Sequence, residues 1–403
     1  MSFRREVWLS FWLQGSGAAS VLLATLLLGK VLGPEVQGGF SRIKAEIEFV
    51  AAFTMFGLPQ ALFFYVKTGG LDRASALRWA GSSVALALPI GVGYVILKNA
   101  SLGSWALASM GLAVAACVAH GQLRALLLVR EPAAWFGIVT ALPQVLVLCG
   151  VVAVVGAARS SVALAMATWC AIFAVAYGVA ASVAFRRFRD GHAKGSAAKT
   201  VGWRELGHFG LAAWLTAVLP TAAVVVVQHR VEAAAGPAAL GQFALALLLV
   251  QVPLTPISYA APLLLRHWIE QPGAAASKRL ARACFVGLML LAACMWAVAQ
   301  TWPDLGLGQA YTGTALALAV LLAGAAAESA SRLLAVQASA TGMPWVAVRA
   351  ELARWAVLLL GWMLTTPSHV LSASALWAVA AAGAAGVFVF DARMPGVRVA
   401  GVR

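Results

Sequence analysis

Long apolar segments separated by short polar ones run through the whole chain. Each apolar segment is about 18–25 residues long, enough for a helix to cross a hydrocarbon core of ~30 Å. Only helices and closed barrels satisfy the backbone in lipid, and the alternating pattern of strands is absent. We therefore predict about twelve transmembrane helices in an all-α polytopic membrane protein. Their approximate spans are 10–31, 47–66, 76–97, 104–129, 133–156, 161–185, 206–229, 238–264, 280–300, 313–338, 344–365 and 370–390.

The composition agrees with a membrane protein and argues against an enzyme. Of the 403 residues 62% are hydrophobic and 11% charged, and the mean hydropathy is +0.88, unlike soluble domains. The polar stretches are too short to fold as a catalytic domain. The sequence contains no nucleophile elbow, P-loop or zinc-protease motif, and no His, Cys and acid set has metal-ligand spacing. We expect no enzymatic activity, no metal and no other cofactor.

The distribution of basic residues over the loops predicts the orientation of the chain in the membrane. With the N-terminus inside, 23 of the 29 lysines and arginines fall on the cytoplasmic side, and both termini are then cytoplasmic. Basic loops that face anionic headgroups explain most of the net charge of +15, so no nucleic-acid partner is needed. We expect a multi-pass protein of the bacterial inner membrane.

One motif of the first half recurs 203 residues later in the second. The sequence GPEVQGGF at 33–40 matches GPAALGQF at 236–243 in the pattern G-P-x-x-x-G-x-F, and Pro59 falls on Pro262 at the same offset. We interpret each copy as a structural turn after the first helix of a half. The turn residues are Gly33, Pro34 and Gly38 in the first copy, and Gly236, Pro237 and Gly241 in the second.

The repeat predicts two pseudo-symmetric six-helix lobes, at 1–185 and 205–403, joined by a basic cytoplasmic linker at 186–204. Six is an even number of spans, so both lobes enter the membrane from the same side, and their symmetry axis runs along the membrane normal. A cavity between the lobes is the natural route for a substrate. Three prolines in span 8 predict a bent or broken helix there.

The stretches 32–41 and 56–62 resemble the oligosaccharide flippases of the multidrug/oligosaccharidyl-lipid/polysaccharide exporter superfamily. Members carry a "lGp-x-x-x-G-x-f" turn after the first helix and a "Glp-x-a" stretch in the second, and the copy at 236–243 matches the turn after a seventh helix. The resemblance implies an alternating-access carrier whose cavity is lined by helices 1, 2, 7 and 8. It implies a cargo of polyprenyl-diphosphate-linked glycan, moved from the inner to the outer leaflet, and a polysaccharide polymerase as a partner.

Charged residues deep in spans are candidates for function because lipid makes them costly. Arg124 in span 4 either snorkels to the surface or contacts phosphate in the cavity. Glu328 and Arg332 in span 10 are four residues apart and share a helix face, so they form either a structural pair or a cation-coupling site. Arg124 and Arg332 occupy similar places in the two halves, and guanidinium groups suit a diphosphate.

A second group of candidates belongs to span 2 and the turn before it. Arg42 and Lys44 are each four residues before an acid, Glu46 and Glu48, and the two pairs face opposite sides of a helix. We interpret them as a solvated extension of the helix, or as one pair at the rim of an outward vestibule. In the second case Arg42 and Lys44 are candidates to bind substrate, and Glu46 is a candidate for ion coupling. Further along, Gln60 and Tyr65 are candidates to contact sugar hydroxyls.

Three other functions compete with the flippase. A proton- or sodium-coupled multidrug exporter belongs to the same superfamily, but span 1 contains no acidic residue. A major-facilitator transporter also has twelve spans, and the loop at 69–75 matches its G-x-x-x-D-R-x-G signature only in part. A membrane glycosyltransferase or polymer ligase would need larger outer loops.

Overall fold

The computed structural model describes residues 3–67, 70–99, 103–129, 133–190, 203–270, 276–365 and 369–390. Regular secondary structure in these ranges is helical throughout. The helices are α1 (Phe3–Thr54), α2 (Leu58–Lys67), α3 (Arg73–Asn99), α4 (Gly103–Leu127), α5 (Ala133–Ala158), α6 (Val162–Asp190), α7 (Trp203–Glu270), α8 (Ala276–Thr301), α9 (Thr314–Ala340), α10 (Trp345–Leu364) and α11 (Val370–Phe390), with a short 3-10 helix at Gln309–Tyr311.

These helices agree with twelve spans. In the described residues, nine helical stretches are long and apolar enough to cross a membrane. Two of the nine, in α1 and α7, each contain two spans joined at a kink. The twelfth span is α10. It is not among the nine stretches because its three charged residues make it less apolar. The all-α polytopic fold class is confirmed.

The chain forms two compact units. Unit 1 comprises Met1–Leu32 and Arg42–Ala222, and unit 2 comprises Gly33–Ser41 and Ala223–Arg403. In unit 1, α4 packs against α3, α5 and α6, and α5 packs against α6. In unit 2, α9 packs against α8, α10 and α11, and α10 packs against α11. The same packing pattern thus occurs twice, with α3 to α6 in the places of α8 to α11.

The predicted lobe boundaries at 185 and 205 do not coincide with the division between these units, which falls within α1 and α7. The two lobes therefore stay a prediction. The central part of the predicted linker, 191–202, lies outside the described residues.

The repeated motif is a kink in a helix and not a loop. Gly33 has φ 80° and ψ 171°, and Gly236 has φ 85° and ψ 172°. These values are open to glycine and disfavoured for residues with a Cβ. The proline after each glycine begins the next helical arm, where its missing N–H costs nothing. The prediction of a turn is corrected: only the first residue of each motif leaves the helical conformation.

The two copies of the motif pack against each other within unit 2. A Cβ built on Gly38 would lie 3.0 Å from both the Pro237 carbonyl oxygen and the Gly241 nitrogen. A Cβ on Gly241 would overlap the Pro34 carbonyl. Proline and glycine are four residues apart in each copy and so share a helix face, as in the small-residue crossings of membrane helices. The repeat is therefore explained by the reciprocal contact of its two copies, which we name the glycine crossing.

Neighbouring side chains support the glycine crossing. The Tyr311 hydroxyl donates to Gln37 Oε1 at 2.7 Å, and Gln242 Nε2 donates to the Ala310 carbonyl at 2.8 Å. The aromatic residue that ends each motif, Phe40 or Phe243, is buried. Each of the four positions that the two copies share, the first, second, sixth and eighth of the motif, thus has a structural role.

The structure corrects the predicted continuity of two other spans. Span 2 is not one helix, because Met55, Phe56 and Gly57 separate α1 from α2, and Phe56 and Gly57 have positive φ. The break is fixed inside unit 1, where the Trp214 Nε1 donates to the Phe53 carbonyl at 2.7 Å. Span 8 is not broken, since α7 stays helical from Pro237 to Glu270 despite its prolines, and a bend there stays a prediction.

The loop that partly matches the major-facilitator signature caps a helix. The Ser75 backbone N–H donates to Asp72 Oδ2 at 3.4 Å, at the start of α3. Hydrogen bonding to the Ser75 side chain is the main cause that lowers the pKa of Asp72, which lies outside the spans. An acid in this place is favourable for the helix N-terminus whatever the family.

We predict that Gly241→Val destabilises the protein by about 1–3 kcal/mol, the usual cost of overpacking, because the new side chain would meet the Pro34 backbone. Gly287→Ala is the matched control, since a Cβ there meets no atom within 4 Å and Gly287 also lies in a helix of unit 2. Thermal unfolding of the purified protein in detergent measures both. Equal unfolding temperatures for Gly241→Val and wild type would contradict the tight crossing.

Candidate functional site

Four charged side chains form a network inside unit 2. Arg332 donates from Nε and Nη2 to Glu328 Oε1, at 3.0 and 2.5 Å. Arg354 Nη1 lies 3.7 Å from Glu328 Oε2, and Arg354 Nε lies 3.1 Å from Glu351 Oε2. Glu328 thus has one guanidinium group on each oxygen. We name these four residues the charge network.

The charge network lies deep in the predicted membrane. Glu328 is the fifteenth of 27 residues in α9, so at 1.5 Å per residue it is about 18–21 Å from either end of the helix. Arg354 is the tenth of 20 residues in α10. At this depth neither side chain reaches the surface by snorkelling, so pairing inside the protein is what makes the charges tolerable.

The network is neutral when all four groups are ionised, but its members differ in exposure. The side chain of Arg354 is 3% exposed, and its guanidinium lies 5.6 Å from the centre of the Trp377 ring. The side chain of Arg332 is 33% exposed and also donates from Nη1 to Ser258 Oγ at 2.6 Å, in α7. Arg332 is therefore the accessible edge of the network, and Arg354 its buried centre.

Half of this network was predictable from the sequence. The spacing of Glu328 and Arg332 predicted their pair, which the structure contains. We missed Glu351 and Arg354, although both lie in the middle of a predicted span at 344–365 and three residues apart. Counting every ionisable residue near a span centre would have found them.

In unit 1, Arg124 lies near the C-terminal end of α4. It is half-buried, and its guanidinium is 5.5 Å from the centre of the Phe136 ring in α5. One turn earlier in α4, His120 Nε2 is 3.0 Å from the Val139 carbonyl, and its ring meets Tyr177 edge to face. Arg124 and Arg332 belong to different units, so their predicted convergence on one phosphate group stays a prediction.

Gln122 joins three parts of unit 1. It is fully buried, and its Nε2 donates to Ser83 Oγ at 2.8 Å, in α3. The same nitrogen is 3.4 Å from the Met55 carbonyl, in the break between α1 and α2. The Met55 carbonyl also accepts the Leu58 backbone N–H at 3.0 Å, so Gln122 adds a second donor at the helix break.

The four charges of the second arm of α1 do not form a solvated extension. Lys44 Nζ and Glu48 Oε1 are 2.6 Å apart in a partly exposed ion pair, as the i, i+4 spacing predicted. Glu46 is only 2% exposed, and Arg42 is half-buried. The solvated interpretation is therefore wrong for Glu46, which is a buried acid of unit 1. Its role in ion coupling stays a prediction.

The two predicted sugar contacts differ. Gln60 is exposed at the start of α2. Tyr65, one and a half turns later, is half-buried between Phe64 and Phe209, with ring centres 5.3 and 6.0 Å away. Tyr65 packs in an aromatic cluster with the first arm of α7, and its contact with a sugar stays a prediction.

The fold matches solved transporters from end to end. No protein-family model matches the sequence, and no curated protein is significantly similar to it. The chain is similar to a MATE in complex with MaL6, with 15% identity and a TM-score of 0.68 over 96% of this chain and 95% of that one.

Two other solved structures are also similar to this chain in fold. An inward-facing multidrug resistance MATE family transporter of the MOP superfamily has 14% identity and a TM-score of 0.63 over 92% of each chain. A MOP superfamily transporter from Pyrococcus furiosus has 14% identity and a TM-score of 0.65 over 96% of this chain and 94% of that one. At such identities the likeness concerns the fold, which is that of MATE transporters.

We predict that Arg354→Met lowers the unfolding free energy by about 3–5 kcal/mol, because it leaves buried carboxylates with too few partners. The double variant Arg354→Met with Glu351→Leu removes one charge of each sign, so it should recover part of that loss. Arg349→Met is the control, since Arg349 is an exposed arginine of the same helix. Thermal unfolding of the purified variants gives the coupling energy. A double variant as unstable as the sum of the two single changes would contradict the network.

Proposed function

We propose that this protein is an alternating-access membrane transporter that exports amphipathic organic molecules in exchange for protons or sodium ions. The observation that carries the proposal is the similarity in fold to MATE transporters across nearly the whole chain. Two of the compared structures are titled as transporters of the MOP superfamily. The duplicated packing of the two units is also typical of transporters built from repeats.

The charge network supplies a mechanism for coupling. Glu328 is shared between two arginines, and Arg332 is the more exposed of them. A proton or cation that binds Glu328 competes with Arg332 for the same carboxylate. Arg332 then loses its ion pair with Glu328. Its guanidinium must instead be hydrated in a water-filled cavity or pair with a different residue. Ion binding would thereby favour a second arrangement of α9 against α7 and α10, which is what coupling requires.

A second candidate is the lipid-linked oligosaccharide flippase, and a specific observation favours it. The partly exposed group at the edge of the network is a guanidinium, and residues 8–32 of α1 contain no acid that would attract a cationic drug. Guanidinium groups bind phosphate oxygens well and stay charged when they lose water. In this version Arg332 binds the diphosphate of a polyprenyl-linked glycan, and the polyprenyl tail stays in lipid.

Either cargo is compatible with a bacterial inner membrane, and with both termini on its cytoplasmic side. A polysaccharide polymerase would be a partner only of the flippase. The charge pattern of the loops supports this orientation under both candidates.

We predict that Glu328→Gln abolishes uptake driven by an ion gradient in proteoliposomes, because the carboxylate that binds the ion is gone. Glu328→Asp keeps the charge and should keep part of the uptake. Glu48→Gln is the control, since Glu48 forms a partly exposed pair with Lys44 and takes no part in the network. The measurement is accumulation of a fluorescent amphipathic cation under an imposed pH or sodium gradient. Full gradient-driven uptake by a folded Glu328→Gln variant would remove Glu328 from coupling.

The variant Arg332→Gln distinguishes between the two candidate cargoes. If the cargo carries a diphosphate, this variant should lose most transfer of a fluorescent polyprenyl-diphosphate sugar between leaflets, because the phosphate has lost its guanidinium. If the cargo is a cation, the variant should still carry the fluorescent cation down its own gradient, because Arg332 then serves ion coupling and not cargo binding. A leaflet assay based on quenching from one side measures the first, and the proteoliposome assay the second. Wild-type protein that moves the cation and not the lipid-linked sugar would exclude the flippase.

A further inference from the structure

Two grooves on unit 1 meet at one arginine. The first has a volume of about 500 Å³ and runs along the outer face of α6. The second, of about 300 Å³, lies between α6 and α4. The first is lined by Val175, Gly178, Val179, Ser182, Val183 and Arg186. The second is lined by Leu123, Ala181, Ser182, Phe185 and Arg186.

Among the described residues, the grooves share Ser182 and Arg186. The second groove lies beside the first over residues 181–186 of α6, and the first continues from there to Val175. The other described residues that line the grooves are apolar or glycine. Two open surface grooves thus meet at a single cationic group among the described residues. A glycerophospholipid has the matching plan: two acyl chains that join at a phosphate headgroup.

The length of the longer groove and its predicted depth in the membrane also match an acyl chain of one leaflet. From Val175 to Arg186 there are eleven residues, or about 16 Å of helix. That is close to half of a ~30 Å hydrocarbon core. In the predicted orientation α6 ends on the cytoplasmic side, so the groove spans the inner leaflet and Arg186 lies at its headgroup level.

The charge at the junction is available for a ligand. Arg186 is exposed, and no described residue forms an ion pair or hydrogen bond with it. Its neighbour Arg187 instead packs on an aromatic ring, with its guanidinium 3.7 Å from the centre of the Trp135 ring. The Ser182 hydroxyl donates to the Gly178 carbonyl at 2.9 Å, so Arg186 is the donor left for a phosphate.

We propose that α6 and α4 hold one anionic glycerophospholipid of the inner leaflet, with an acyl chain in each groove and the phosphate on Arg186. The site is separate from the charge network, which lies in unit 2, and does not depend on which cargo is transported. A lipid bound here would fasten the cytoplasmic end of α6 to the inner leaflet next to the basic stretch that follows it.

The test uses the purified full chain in nanodiscs that contain phosphatidylglycerol and phosphatidylcholine, with native mass spectrometry to count the lipids retained. Wild type should retain one phosphatidylglycerol in preference to phosphatidylcholine. Arg186→Gln should lower that preference about fivefold, the effect of one arginine near an anionic headgroup. Gly178→Leu should lower retention of both lipids, because its side chain would fill the longer groove and a Cβ there meets no protein atom within 4 Å.

Two controls keep the test decisive. Arg189→Gln removes an exposed arginine one turn from Arg186, and Gly156→Leu fills an exposed position on α5 where a Cβ also meets no atom. Both should behave as wild type, and thermal unfolding checks that every variant is folded. Equal losses for Arg186→Gln and Arg189→Gln would mean diffuse attraction and overturn the site. Unchanged retention in a folded Gly178→Leu variant would overturn the grooves, and displacement of the lipid by glycerol phosphate would show a site for free phosphate instead.

Discussion

A charge in the hydrocarbon region must be neutralised inside the protein, and this constraint explains most of what is unusual in unit 2. Glu328 lies about 18–21 Å from both ends of α9, far from either predicted membrane surface. Its two oxygens each have an arginine, and the buried arginine has a second acid. The four helices that contribute to this arrangement, α7, α9, α10 and α11, are thereby connected at one depth.

Such a network is costly, and a purely structural protein gains little from it. Replacing a buried ion pair by apolar residues is often neutral or stabilising, so retention of charge suggests a use for it. The unequal exposure of the two arginines suggests a role in ion coupling. Arg354 is enclosed, whereas Arg332 has a third of its side chain accessible and one more contact, to Ser258, in a different helix. A cation that competes for Glu328 would act first on Arg332.

The sequence predicted the fold well because its signals are local and strong. Apolar segments of spanning length define helices, and the motif at 33–40 and 236–243 defined the repeat. The contact between its copies was beyond prediction, since nothing in either copy says that Gly38 and Gly241 meet. The break at Met55–Gly57 was missed for a similar reason: its support comes from Trp214, more than 150 residues later.

The candidate site was harder to predict than the fold. Helical spacing gave the pairs within one helix, Glu328 with Arg332 and Lys44 with Glu48. It could not give the contact of Arg354 with Glu328, which joins α10 to α9. Burial was also out of reach, because Glu46 and Glu48 have the same local pattern and only the packing of unit 1 distinguishes them.

We propose above all that this protein moves a solute at the expense of an ion gradient. The most direct measurement is uptake of a fluorescent amphipathic cation by the wild-type protein in sealed proteoliposomes, with and without an ionophore that dissipates the gradient. We expect accumulation above the equilibrium level that collapses when the ionophore is added. Uptake that never exceeds equilibrium, under either a proton or a sodium gradient, would contradict it.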